Sequence, residues 1–303
     1  MGTLIKTASR DARYPLGVLM VLLGSVCFST GGLILRGFTT ADGWQILFYR
    51  SLPYCALVLA FVAARNRGRV VEPLQSVGWH GPLLGLAIAG SSVFYIFAVQ
   101  HTTVANVLFT FSSAPFIAAL LARWLLGERV GLATWLAMAA AGAGVGLMVA
   151  DGLGSGGLTG NLLALGMALS FALIIVIVRR AQGLDMVPAT VWGALVSALI
   201  GGLLADSFAI SGRDLWLCVL FGTVNMGAGI VLVTTGARYV PAAQVALLGL
   251  AEAVLAPVWV WLGVGEVPSG LTLLGGAIVL AAVAGQASAA ARGRGALRRP
   301  ATP

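Results

Sequence analysis

Two residues of opposite charge, Glu252 and Arg50, stand inside long apolar stretches of this chain, where a charge is most costly to hold. Glu252 falls about 12 residues into the stretch 240–262, roughly 18 Å from one end if that stretch is helical, and Arg50 falls at about 20 Å from the same face. At such depth in hydrocarbon an ionised group costs a few kcal/mol or more unless it is paired or hydrated. One reading is a structural ion pair between the two, or an Arg50 that reaches outward to water. The sharper reading is that Glu252 receives an ammonium group of a ligand or carries a proton. Uncharged polar residues at similar depth complete a candidate binding set: Ser29, Thr30, Ser91, Ser92, Tyr95, Ser170 and Asn225. An amide such as that of Asn225 needs partners on neighbouring helices, whereas Ser and Thr hydroxyls can bond the preceding helical turn. Tyr95 and Phe171 offer ring faces for an apolar or aromatic ligand, or for packing. Asn106, Gln244 and His101 lie nearer the ends of their stretches and are rim or gate candidates.

Other chemistries are excluded by what the chain lacks. Lys6 is the only lysine, so a phosphate-cradling loop cannot be built and ATP-driven pumping by this chain alone is ruled out. His80 and His101 are too far apart for a zinc-protease helix. Gly152, Gly154 and Gly157 match the spacing of a dinucleotide-binding turn, but a long apolar helix precedes them where a strand is required. Cys27, Cys55 and Cys218 show no CxxC spacing and read as small packing residues. No cofactor or metal is called for, and the chain is read as a non-enzyme.

The elements that must position these residues are set by composition. With 59% hydrophobic and 9% charged residues over 303, there is too little polar surface to cover a soluble globule. Ten apolar stretches, 15–36, 43–64, 79–100, 103–123, 131–150, 158–179, 186–206, 214–235, 240–262 and 269–289, are each about 20 residues, enough for a helix to cross roughly 30 Å of hydrocarbon. Backbone amides in lipid must be paired within their own segment, so the expected class is an all-α membrane protein of ten transmembrane helices. The first stretch has a basic leader, yet at about 22 residues it is an anchor rather than a signal peptide. Gly81/Gly85 and Gly142/Gly146 have the spacing of close helix contacts. Trp44, Trp79, Trp124 and Trp216, near stretch ends, read as interfacial anchors.

Topology follows from charge. Lys6, Arg10, Arg13, Arg65, Arg67, Arg69, Arg123, Arg129, Arg179, Arg180, Arg238, Arg292, Arg294, Arg298 and Arg299 fall on one side, against Arg36 and Arg213 on the other. The positive-inside rule then puts both termini in the cytoplasm, and the basic tail lies against anionic lipid rather than nucleic acid.

A shift of 138 residues lays Gly127 on Gly265 and Glu128 on Glu266, and a shift of 143 lays Phe28 on Phe171 and Arg36 on Arg179. Five stretches are thereby repeated, and an odd unit inverts on repetition. The expected organisation is a tail (1–14), a first five-helix repeat (15–150), a second, inverted repeat (151–289) and a basic tail (290–303), with a ligand held near the midplane.

The segments APFIAALLARWLLGE at 114–128 and EAVLAPVWVWLGVGE at 252–266, with Phe48-Tyr49-Arg50, resemble the drug/metabolite transporter superfamily, particularly its EamA-type members. In the second segment the acid is followed by Ala253 and the proline comes at Pro257, which predicts a helix break displaced by one turn. The resemblance covers nearly the whole chain and implies a basket of helices around a central cavity. Within the superfamily the chain looks most like the YddG-type exporters of neutral and aromatic amino acids. The function expected is export of small metabolites of that class by alternating access, in a bacterial-type inner membrane, with a small-molecule substrate and the bilayer as partners. The oligomeric state is not readable. Alternatives are a drug or other metabolite exporter on the same fold and a lipid-modifying membrane enzyme, which would need a histidine–carboxylate cluster at one face.

Overall fold

The computed structural model describes residues 13–102, 104–149, 158–181, 183–264 and 270–297. The 152–157 glycine segment, Lys6, Gly265, Glu266, Arg298 and Arg299 lie outside them. Among the described residues every regular element is helical. The helices are α1 (Tyr14–Ser29), α2 (Gly31–Arg36), α3 (Gly43–Arg65), α4 (Val71–Ser76), α5 (His80–His101), α6 (Val104–Phe111), α7 (Ala114–Leu126), α8 (Leu132–Val149), α9 (Leu158–Arg180), α10 (Thr190–Leu204), α11 (Gly212–Leu220), α12 (Gly229–Ala237), α13 (Ala242–Gly249), α14 (Ala251–Val264) and α15 (Gly270–Leu297). Wider, π-type turns over Phe221–Ala228 join α11 to α12.

Among the described residues, seven stretches can cross a membrane by length and composition: Tyr14–Arg36, Gly43–Arg65, His80–His101, Phe109–Leu126, Leu158–Arg180, Gly212–Ala237 and Gln244–Gly263. Three shorter apolar helices, Leu132–Leu147, Thr190–Leu204 and Leu273–Gln286, occupy the fifth, seventh and tenth expected stretches. The seventh starts later than expected because Pro188 and its neighbours form turns, with Thr190 N–H donating to Val187 O at 3.0 Å. Helix α15 runs on to Leu297, into the segment expected to be a tail. Leu19, Leu86, Leu136, Leu162, Leu199 and Leu273, on six helices, are exposed, a surface suited to lipid rather than water.

Local sequence sets the helix ends. Asp42 and Gln45 cap α3 reciprocally: Asp42 Oδ1 accepts from Trp44 N and Gln45 N, and Gln45 Oε1 accepts from Asp42 N at 3.0 Å. Gly127 closes α7 in the left-handed region (φ 65°), which turns the chain so that Glu128 meets Arg179 on α9.

Helix α5 packs against α9 and α10, α3 against α10, α9 also against α7, α1 against α12, α13 and α14, and α8 against α15. The Gly81/Gly85 pair makes the close contact its spacing predicts: a Cβ at Gly85 would lie 2.7 Å from Trp192 Cβ on α10. The Gly142/Gly146 pair does not, since it faces the rings of Phe116 and Phe109. On that helix Gly144 makes the close approach, where a Cβ would stand 2.8 Å from Gly275 O of α15. Asp214, at the start of α11, accepts from the backbone N–H of Thr39, Thr40 and Ala41 and from both threonine hydroxyls.

Candidate functional site

Four apolar stretches lose regular helix at one region of the bundle. Between α1 and α2 the Ser29 and Thr30 hydroxyls donate to Val26 O (2.6 Å) and Cys27 O (2.7 Å), and Thr30 N–H reaches back only three residues, to Cys27 O. Ser112 and Ser113, between α6 and α7, repeat this with Phe109 O and Thr110 O. Between α13 and α14 the tight bonds are Leu250 N–H to Leu247 O (3.1 Å) and Ala253 N–H to Leu250 O (3.0 Å). The fourth interruption is the run of wide turns Phe221–Ala228. Irregular backbone at membrane depth is tolerated where it is buried in protein or lines a cavity. The ninth-stretch break therefore falls at Leu250, about two turns before Pro257: i→i+3 bonds make it, and α14 runs through Pro257. It matches the Ser112–Ser113 break under the 138-residue shift.

A cavity of ≈ 60 Å³ lies where these interruptions converge. Its polar lining is Arg50, Ser91, Ser92, Tyr95, Asn225 and Glu252; its apolar lining includes Phe28, Phe111, Phe171, Met167 and Met226. Asn225 sits in the wide turns and donates Nδ2 to Phe28 O (2.7 Å) and Cys27 O (3.1 Å), the carbonyls freed where α1 ends. Glu252 stands in the first turn of α14, a helix end where aligned N–H groups favour negative charge. Tyr95 lines the same space as Arg50 and Glu252.

Of the residues singled out in the sequence, Glu252, Asn225, Tyr95, Ser91, Ser92, Phe171 and Arg50 meet at this cavity. Ser29, Thr30 and Ser170 stand outside its lining; Ser29 is spent on Val26 O and on accepting Trp259 Nε1–H at 2.7 Å. Arg50 and Glu252 face the same space without forming an ion pair. The Arg50 guanidinium instead stacks 4.7 Å from the Phe221 ring centre. Of the gate candidates, His101 and Gln244 stay apart from the cavity. His101 is exposed, with Nδ1 at 2.8 Å from Phe97 O, Gln244 Oε1 accepts from Tyr14 OH at 3.1 Å, and Asn106 lies on α6 with its side chain outside the described residues. Trp79, Trp124 and Trp216 are well exposed, as interfacial anchors would be, whereas Trp44 packs on Phe97.

Phe28 and Phe111 escaped the sequence reading although a signal existed. Each directly precedes a hydroxyl pair, Ser29-Thr30 and Ser112-Ser113, and a pair of hydroxyls bonding backward ends the helix just where the ring meets the cavity. Away from the cavity, Arg179 Nε donates to Glu128 Oε1 at 3.0 Å and its Nη2 also reaches that oxygen, while Glu128 Oε2 accepts from Ala242 N. Asp185 likewise holds Arg65 and Arg238, at 3.2 and 3.6 Å.

The sequence profile of the EamA-like transporter family matches residues 15–150 and 158–286. The chain belongs to that family. It is 29% identical over 300 residues to a riboflavin transporter of Rhizobium johnstonii, covering 91% of this chain and 92% of the relative. It is 26% identical over 274 residues to the pseudopaline exporter CntI of Pseudomonas aeruginosa, covering 88% and 94%. A solved crystal structure superposes with a TM-score of 0.78 at 21% identity, over 92% of this chain and 98% of the other, which speaks for the fold. The EamA-type resemblance is thus established, and this chain is a multi-pass, all-helical membrane protein of a transporter family.

Proposed function

We propose that this EamA-family protein is a secondary transporter that exports small metabolites of the neutral or aromatic amino-acid class by alternating access. The observation that carries the reading is the cavity at the convergence of four interrupted helices, with ring faces from Phe28, Phe111 and Phe171 beside the unpaired carboxylate of Glu252. Discontinuous membrane helices around a polar centre are how carriers hold a ligand and its coupling ion. At ≈ 60 Å³ the space holds only a few waters at ~10–15 Å³ each, so the helices around it must part to admit a metabolite.

Ten spans in two inverted halves supply that motion in this proposal. The packing supports it: exchanging the first five stretches with the last five turns α1 on α12 and α14 into α9 on α5 and α7, and leaves the α3–α10 and α8–α15 contacts in place. Charge asymmetry supports cytoplasmic termini in a bacterial-type inner membrane. Without a nucleotide site, the substrate's own gradient or an ion gradient drives transport.

The relative named for riboflavin favours a second substrate on the same scaffold. Both are tested by uptake of a labelled panel, neutral and aromatic amino acids plus riboflavin, into proteoliposomes with no ion gradient imposed. Saturable amino-acid uptake with mutual competition is the expected result. Riboflavin uptake alone would move the assignment to the second substrate. Failure of the whole panel both there and under an imposed proton gradient would overturn both.

A further inference from the structure

We propose that Arg50 and Ser92 form an anion-binding end of the cavity, which takes a carboxylate of the transported molecule; this rests on the same cavity being the transport site. Arg50 is only 2% exposed, yet its Nη1 has no hydrogen-bond partner, and no acid pairs with it among the described residues. Ser92 is 4% exposed, and its Oγ is likewise buried without a partner. Both line the one cavity, on α3 and α5.

Buried polar groups in folded proteins are almost always bonded, and a buried cation left unpaired is among the costliest arrangements. Stacking on Phe221 satisfies one face of the guanidinium and leaves its edge donors directed elsewhere. A planar, permanently charged group with free N–H donors matches a carboxylate, whose two oxygens also accept a hydroxyl such as that of Ser92. Glu252 lines the same space with the opposite sign, and among the described residues no ion pair neutralises either charge. An unpaired acid and an unpaired guanidinium in one small chamber fit a ligand that carries both an ammonium and a carboxylate, with ring faces between to take an apolar side chain. Metabolites without ionised groups make no charge-assisted bond there, and amines lacking the acid would leave Arg50 unpaired.

The test is thermal stabilisation of the purified full chain by 3-phenylpropionate against its methyl ester, which share the ring and differ in the charge. The acid is expected to raise the melting temperature at concentrations roughly ten- to a hundred-fold lower than the ester, the range of a charge-assisted hydrogen bond. In Arg50→Gln that preference should vanish, in Ser92→Ala it should shrink, and Arg50→Lys should restore part of it. An ester as effective as the acid on the wild-type protein overturns the proposal without any variant being needed. Acid preference retained in Arg50→Gln, or undiminished in Ser92→Ala, overturns the assignment to these residues. Because the readout is binding, failure of amino-acid uptake in liposomes would refute the substrate assignment and leave the anion site standing or falling by this measurement alone.

Discussion

Glu252 and Asn225 are the residues whose chemistry the fold organises most directly, one at a helix start and the other bridging two helix interruptions. If Glu252 receives the substrate's ammonium, Glu252→Gln should reduce saturable uptake by roughly ten- to a hundred-fold, the value of a charge-assisted bond. Transport unchanged at every pH would sink both its ligand-binding and its proton-carrying roles. Asn225→Leu removes the donor that holds the carbonyls of Cys27 and Phe28, and should destabilise the protein by about 1–3 kcal/mol, read as a lower melting temperature in detergent. Both residues could be read from the sequence because an acid or an amide deep in an apolar stretch is conspicuous. Ser29 and Thr30 were equally conspicuous but their hydroxyls donate within their own helix, since a hydroxyl reaches a carbonyl of the preceding turn.

Helices were legible wherever twenty apolar residues run together, and their interruptions were not. The break at Leu250 has no proline or hydroxyl pair to announce it, and Pro257, which does look like a breaker, lies within α14. Glycine spacing was a partial guide. Gly85 touches Trp192, whereas the helix α8 contact depends on Gly144 between the two glycines that the pattern picks out. Gly85→Val should wedge α5 from α10 and lower stability by ~1–3 kcal/mol, visible as a reduced melting temperature. Gly142→Ala, with 4.0 Å to its nearest neighbour, should leave it unchanged within error. A normal melting curve for Gly85→Val would mean that the two helices are not held at that distance.

At the scale of the molecule, the proposed two-fold exchange of halves lays Glu128 on Glu266 and Arg36 on Arg179 in the sequence. Glu128→Gln and Glu266→Gln should therefore bias the carrier in opposite senses. With Ser92→Cys in a background lacking the native cysteines, an impermeant maleimide should label faster from one side in the first variant and from the other side in the second. Shifts in the same direction would refute the exchange. In this proposal the repeat shows in the sequence only as scattered identities because most paired positions must differ: one half supplies Asn225 and Glu252, the other Arg50 and Tyr95, and a single cavity needs them all. The hydrogen bond from Trp259 to Ser29 joins a residue of one half to a residue of the other near that cavity. An indole that exchanges a serine partner for water shifts its emission to the red, so any motion that separates α14 from the end of α1 would be recorded optically. The difference spectrum between this protein and Trp259→Phe thus offers a dye-free clock for opening, able to time the movement within a single turnover.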